Sequence, residues 1–464
     1  MRAPVLIFAL ALVARLLYIF PLSYSLAPDE ATYVWGAKQI LAGIFFPPTF
    51  ERYEQSPLYV LFLAAHFRLF GENLLFVRLT QALLGALTAV LTFAFAKRIG
   101  KTCQVRFAKT LTGFAGLAGL IVALYPDLIV FTGALLTETL YTFLLIALML
   151  AWQSALDQQS SRWRVIAGAL AGLMLLTRAS ALAFIALALV WEVWRARADW
   201  RSGIQRASII SAAMLLVLAP WLARNWNAYQ TFFPASYQFS WSLWASNHSG
   251  ADGTMLLTPE MRAEDERVQV LAVPERYAFY TAQAAAWMRA HPGEFAALAL
   301  VKTSRLFGVK PDGMFRRGWF NKYIELGVPA STKGLLWTLA IVGAIFSTYH
   351  WQPLGFVYLA IGAVWLTTMV FSFYPRYLVP IIPPLAILAA YGIEMIHQLD
   401  TRFRKENGYL SIRARVALIA LLVFALNAGW DVARNAGTIA AWQNLDTLSD
   451  CDAARSLSEC APGK

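Results

Sequence analysis

The chain has 464 residues, of which 59% are hydrophobic and 14% charged, and a mean hydropathy of +0.53. Those values exclude an ordinary soluble domain and describe an integral membrane protein. The net charge of +12 does not call for nucleic acid, because the Lys and Arg residues gather in three places: Lys97, Arg98, Lys101, Arg106 and Lys109; Arg195, Arg197, Arg201 and Arg206; and Arg402, Arg404, Lys405, Arg413 and Arg415. Such clusters mark cytoplasmic connections by the positive-inside rule.

Apolar runs of roughly 15 to 25 residues recur along the chain, the length of helices that cross a bilayer, and they lack the alternation of barrel strands. With Arg2 on the cytoplasmic side, about eleven spans are predicted, near 4–25, 74–96, 110–126, 136–154, 164–178, 180–194, 207–223, 335–349, 354–372, 378–397 and 414–430. No small-residue cleavage site follows the first run, which reads as a retained span. An odd count puts the C-terminus outside, and each basic cluster then falls inside.

Between the first two spans, Pro28 breaks the preceding helix and Asp29 is placed to cap the next. Tyr33, Ala37, Ile40, Leu41 and Ile44 recur at helical spacing while Lys38 and Gln39 face water, which predicts a helix lying on the membrane surface. The adjacent acids Asp29 and Glu30 read either as complements to a helix N-terminus or as chemistry. A second helix opens at Pro57 with Leu58, Leu61, Phe62, Ala65 and Leu69 on one face, too short to span, before Gly71-Glu72-Asn73 turns the chain.

The long outer segment, 224–334, mixes aromatic runs with the turn-rich stretch around His248, then a charged helical region over 260–289. From His291-Pro292 to Phe307 the pattern fits an interfacial helix, or alternatively a further span. Residues 1–430 form the membrane domain and 431–464 an outer tail carrying Cys451 and Cys460, which an oxidising compartment would let pair or which stay as free thiols; Cys103 lies inside. Neither an internal repeat, a Gly-rich phosphate loop nor zinc spacing is visible.

Charged groups at the mouth of a span usually have a use, the bland alternative being a snorkelling arginine or a structural ion pair. Glu138 opens the fourth span, Arg78 lies near the outer end of the second, Arg178 sits at the turn between the fifth and sixth, and Arg376 enters the tenth. All fall at the outer boundary with Asp29 and Glu30. A layer of acids and arginines at that surface suits chemistry on an anionic lipid headgroup.

The order of motifs resembles the membrane glycosyltransferases of the dolichyl-phosphate-mannose protein mannosyltransferase superfamily, which includes the bacterial aminoarabinose transferases acting on lipid A. The resemblance covers about residues 5 to 395. It rests on Asp29-Glu30 with Tyr33, Ser56-Pro57-Leu58-Tyr59, Phe76-Val77-Arg78-Leu79 with Gly85, Leu136-Thr137-Glu138, Leu176-Thr177-Arg178, Pro220-Trp221 with Arg224-Asn225, and Arg376-Tyr377 with Pro380. It implies an all-α GT-C fold in a bacterial inner membrane and inverting transfer of a sugar, hexosyl or pentosyl, from a polyprenyl phosphate to a protein, lipid A or glycan acceptor on the outer face. Asp29 becomes the candidate general base with Glu30 beside it, and Arg78, Arg376, Arg52, Tyr33 and Tyr59 the donor-phosphate ligands. Glu138, Arg178 and Arg224 complete the polar site. Where relatives carry Lys-Pro-Pro this chain has Gln55-Ser56-Pro57, so Arg52 stands in for the lysine. Glu54 aligns with a carboxylate that can hold a divalent metal, for which His248 is the candidate partner.

Two other functions compete. A lipid-linked-sugar flippase would show repeated halves and broken helices at the midplane, whereas the polar residues here collect at one surface. A non-catalytic envelope binding protein would use the 224–334 segment and leave Asp29 dispensable.

Overall fold

The computed structural model describes residues 2–22, 26–45, 57–102, 113–232, 238–255, 257–309, 322–403 and 412–434, and these are helical with no strand. The first half contains α1 (Arg2–Ile19), α2 (Pro28–Leu41), α3 (Pro57–Phe70), α4 (Leu74–Thr102), α5 (Phe114–Leu124), α6 (Pro126–Gly133), α7 (Glu138–Gln158), α8 (Ser161–Thr177) and α9 (Ala181–Arg195). The second contains α10 (Trp200–Tyr229), α11 (Gln238–Ala245), α12 (Pro259–Val268), α13 (Val273–Ala290), α14 (Pro292–Leu306), α15 (Lys322–Phe346), α16 (Gly355–Val370), α17 (Ile382–Phe403) and α18 (Ile412–Arg434). A 3₁₀ segment, Pro375–Ile381, leads into α17.

Each of the eleven expected spans falls on a helix, but among the described residues only six helices are long and apolar enough to cross a membrane by themselves. A seventh crossing arises if α5 and α6, bent by 43°, count as one. The bend follows from Pro126, which cannot donate to the preceding turn and pushes Tyr125 into extended backbone. The expected spans at 164–178, 180–194 and 354–372 correspond to α8, α9 and α16, of 17, 15 and 16 residues.

The break between α5 and α6 frees carbonyls inside the bundle, where no water can satisfy them. Arg15, fully buried on α1, supplies the donors: Nη1 bonds the Ala123 carbonyl at 2.9 Å and Nη2 that of Val122 at 3.3 Å. Gly85 makes room for it, since a Cβ there would stand 2.3 Å from Arg15 Nε. Small residues likewise let α15 and α17 touch backbone to backbone, a Cβ on Gly343 falling 1.9 Å from the Leu388 carbonyl oxygen.

At the end of the bundle where α7 begins, α2 and α3 pack together, joined by Tyr33 edge-on to Tyr59 at 5.0 Å. Both were expected as surface helices, and Trp35, Leu41, Ile44, Leu69 and Phe70 stay exposed, as lipid-facing side chains at an interface would. Pro28 takes the first helical position of α2, and the cap comes from Glu30, whose Oε2 accepts from Ala27 N at 2.8 Å. The expectation that Asp29 caps this helix is thereby corrected. Helices α11, α12 and α13 form a separate small core around Trp244, Met261 and Tyr280. The described α14 packs beside α16 and α18.

Candidate functional site

A cleft of about 220 Å³ opens where α2, the start of α7, the α8–α9 turn, α11, α16 and the 3₁₀ segment meet. Its polar end is made by Asp29, Thr137, Glu138, Arg178, Ser180 and Arg376, and its other end by Leu145, Phe184, Ala360, Ala363 and Val364. Residues far apart in sequence thus converge: of the six charged groups that the sequence placed at the outer boundary, Asp29, Glu138, Arg178 and Arg376 line this cleft together with Tyr33, while Arg78 and Glu30 do not.

The charged groups form a chain. Arg178 Nη1 donates to Glu138 Oε1 at 2.8 Å and to Thr137 Oγ1 at 3.3 Å. Arg376 Nη1 donates to Asp29 Oδ2 at 2.7 Å, while its Nε lies 4.0 Å from Glu138 Oε1. The Glu138 side chain is only 3% exposed, whereas half of the Asp29 side chain is open to the cleft. Tyr377 and Tyr141 hold the Arg178 guanidinium between their rings, at 5.2 and 5.9 Å. Two groups in this chain remain unsatisfied: neither Glu138 Oε2 nor Arg376 Nε has a hydrogen-bond partner among the described residues. Buried polar atoms are normally paired, so these two mark where the charged chain is incompletely satisfied. Burial, reinforced by the charge of Glu138, pushes the Tyr33 phenol well above its ordinary value and keeps it a proton donor.

The remaining candidates are placed elsewhere. Glu30 does not line the cleft; it is fully buried, with Oε1 accepting from Leu135 N at 2.8 Å and Oε2 from Ala27 N, so it ties α2 to the α6–α7 connection. Arg78 is buried and donates from Nε to the Gly133 carbonyl at 3.0 Å, bracing the end of α6 outside the cleft. Tyr59 is fully buried with its hydroxyl on Gln81 Oε1 at 2.8 Å, and Gln81 in turn donates to the Thr132 and Ala134 carbonyls. Arg224 rests on Trp221 and Tyr229 at 5.1 and 4.9 Å, again away from the cleft. These side chains carry the shape of the site rather than its lining.

Arg52 and Glu54, with the Gln55-Ser56 stretch and Cys103, Cys451 and Cys460, lie outside the described residues. His248 lies in the loop after α11, its Nδ1 3.0 Å from the Ser249 carbonyl. No group of three or more His, Cys, Asp or Glu side chains able to hold a metal forms among the described residues. Sequence reasoning passed over two features: Tyr141, and Arg15, a charge in the middle of the first apolar run.

Comparison with known proteins places the chain among similar sequences and folds. A family model described as dolichyl-phosphate-mannose-protein mannosyltransferase matches residues 54–223. An uncharacterized protein of Aquifex aeolicus is 34% identical over 90 residues, 18% of either chain. The undecaprenyl phosphate-alpha-4-amino-4-deoxy-L-arabinose arabinosyl transferase of Pseudomonas aeruginosa is 28% identical over 236 residues, 47% of this chain and 41% of that one. The matched stretches thus span less than half of either relative's own length. Among solved structures, the Archaeoglobus fulgidus oligosaccharyltransferase, at 15% identity, aligns with a TM-score of 0.52 over 92% of this chain and 54% of its own. The chain has an all-α GT-C membrane fold, and its resemblance to GT-C membrane glycosyltransferases is borne out.

Proposed function

We propose that the chain is a glycosyltransferase that moves a sugar from a polyprenyl-phosphate donor to an acceptor hydroxyl at the outer face of a bacterial inner membrane. One observation carries the reading: a half-exposed carboxylate, Asp29, and two guanidiniums, Arg178 and Arg376, share a cleft whose other end is apolar. A lipid-linked phosphosugar has the same polarity along its length. The Pseudomonas relative is named for an undecaprenyl-phosphate sugar donor, and the archaeal structure contains a dolichol-phosphate, which supports a donor of this class.

In the reaction, the acceptor oxygen attacks the anomeric carbon and its proton passes to Asp29, as general-base catalysis requires. The bond from the anomeric carbon to the phosphate oxygen breaks with inversion, and the polyprenyl phosphate leaves as an anion. Arg376, with Arg178 behind it, is preorganised to stabilise that charge. No acid is needed for the leaving group. The prenyl tail runs along Phe184, Ala360, Ala363 and Val364, between α9 and α16. The N-terminus is cytoplasmic and the C-terminus periplasmic in this arrangement, which places the basic clusters inside.

The test is sugar transfer from a radiolabelled polyprenyl-phosphate sugar to envelope acceptors by the full chain in liposomes. Asp29→Asn is expected to lose about 10²- to 10⁴-fold in rate, with the surface variant Glu72→Gln as control. Unchanged transfer by Asp29→Asn would remove the base, and lipid movement without transfer would favour a flippase.

A further inference from the structure

A second cavity, of about 540 Å³, opens between the opposite ends of α4, α7 and α8. That volume is in the range of small-molecule sites, roughly 300–1,000 Å³. Asp157 follows Glu138 by 19 positions on α7, a rise of roughly 28 Å, so this cavity and the cleft lie about one hydrocarbon core apart, on the two surfaces of a bilayer. Its walls differ in character. Ala94, Leu150 and Trp163 make one side apolar, while among the described residues Lys97, Arg98 and Lys101 share the lining with one carboxylate, Asp157.

The three cations are not equivalent. Arg98 is engaged, pairing with Asp157 and donating from Nη1 to Ser154 Oγ at 2.8 Å. Lys97 and Lys101 are exposed, and among the described residues no carboxylate pairs with either. Standing four residues apart on α4, they present their ammonium groups on one helix face, where a single anion can reach both. The positive-inside tendency accounts for lysines at this surface but not for a cavity beneath them with an indole and leucine for a wall. A soluble anion would leave that wall unused.

We propose that this cavity binds the headgroup of an anionic phospholipid of the leaflet opposite the cleft. Its phosphate would sit between Lys97 and Lys101 and the first part of its acyl chains against Leu150 and Trp163. Basic recesses between transmembrane helices are suited to such headgroups. The site bridges α4, α7 and α8, and the other ends of α7 and α8 carry Glu138 and Arg178, so an occupied site would clamp the helices that shape the cleft.

The proposal is independent of the transfer reaction and is tested without it. The full chain, purified and delipidated in detergent, is titrated with phosphatidylglycerol while its thermal unfolding midpoint and bound lipid, by native mass spectrometry, are followed. Phosphatidylcholine and inorganic phosphate serve as the comparison arms. Saturable binding and a rising midpoint are expected with phosphatidylglycerol alone, and Lys97→Gln/Lys101→Gln should need roughly tenfold or more lipid for the same effect. The single variants, both at exposed positions, keep the test readable should the double variant not fold. An unchanged titration in the variants, or an equal response to phosphatidylcholine, would overturn the site. An equal response to inorganic phosphate would overturn its assignment to a lipid.

Discussion

Arg376 donates a 2.7 Å hydrogen bond to Asp29 across 347 residues of sequence. The proposed base and the proposed phosphate grip are thus bound to each other, and a donor phosphate approaching Arg376 has to share it with Asp29. A planar guanidinium can serve two acceptors at once, which an ammonium cannot do in fixed geometry. Arg376→Lys should therefore keep the fold yet lose about 10²- to 10³-fold in kcat, the usual effect of removing one preorganised donor. Transfer assayed at saturating donor, beside a thermal midpoint, reads both effects. A lysine variant with nearly wild-type kcat would deny Arg376 its role.

Glu138 is the shared counter-ion, 2.8 Å from Arg178 and 4.0 Å from Arg376. Replacing it by Leu leaves Arg178 without its carboxylate in a part-buried place while Arg376 keeps Asp29, and breaking a fully buried pair, the upper bound here, costs about 3–5 kcal/mol. Glu138→Leu should lower the unfolding midpoint and abolish transfer. The double variant Glu138→Leu/Arg178→Met should regain part of the midpoint, because the unpaired charge goes with its partner. Denaturation in detergent distinguishes these outcomes, and a double variant no more stable than Glu138→Leu would mean that the pair is not what holds this corner.

The helices and the polar layer were legible in the sequence because both are local signals. A run of apolar residues marks a span, and Glu138, Arg178 and Arg376 each stand at the end of one. What was not legible is which charged group faces the cleft. Glu30 looked like Asp29's equal, yet its oxygens go to the backbone of Ala27 and of Leu135, 105 residues away, a partner that no spacing announces. Arg78 and Tyr59 stand outside the cleft for the same reason, since the Gly133 carbonyl and Gln81 that they bond become neighbours only after packing. The count of eleven spans depended on run length, and α8, α9 and α16, at 17, 15 and 16 residues, lie at or below the short end of the range for a crossing.

The Arg15 and Gly85 contact yields a sharper test of the fold. Gly85→Ala puts a methyl 2.3 Å from Arg15 Nε and must push the guanidinium off the Val122 and Ala123 carbonyls. Each carbonyl left unpaired costs about 1–3 kcal/mol. Arg15→Leu removes the same bonds by another route, so the two effects should not add. A double-mutant cycle on the unfolding midpoint is expected to show Gly85→Ala strongly destabilising with Arg15 present and nearly neutral in Arg15→Leu. Full additivity would show that the two residues act separately.

Lys302, fully buried on α14, donates from Nζ to Asn247 Oδ1 at 2.8 Å, and Asn247 in turn donates to the Val370 carbonyl of α16. Burial pulls this lysine down to about 7. Below pH 7 it is protonated in both folded and unfolded chains, and the cost of burying the charge is carried in full. Between pH 7 and its ordinary value near 10.4, the unfolded chain holds the proton and the folded one does not, so stability rises with pH. Burial works to raise neighbouring Asp252, but bonds from Thr254 and the charge of Arg305 hold it below the usual carboxylate value, so it stays ionised across this window. Unfolding midpoints of the wild type and Lys302→Met, measured from pH 6.5 to 9.5, should therefore converge or cross as the wild type gains stability relative to the variant. Two parallel curves would mean that Lys302 keeps its proton throughout, held by more than the Asn247 amide.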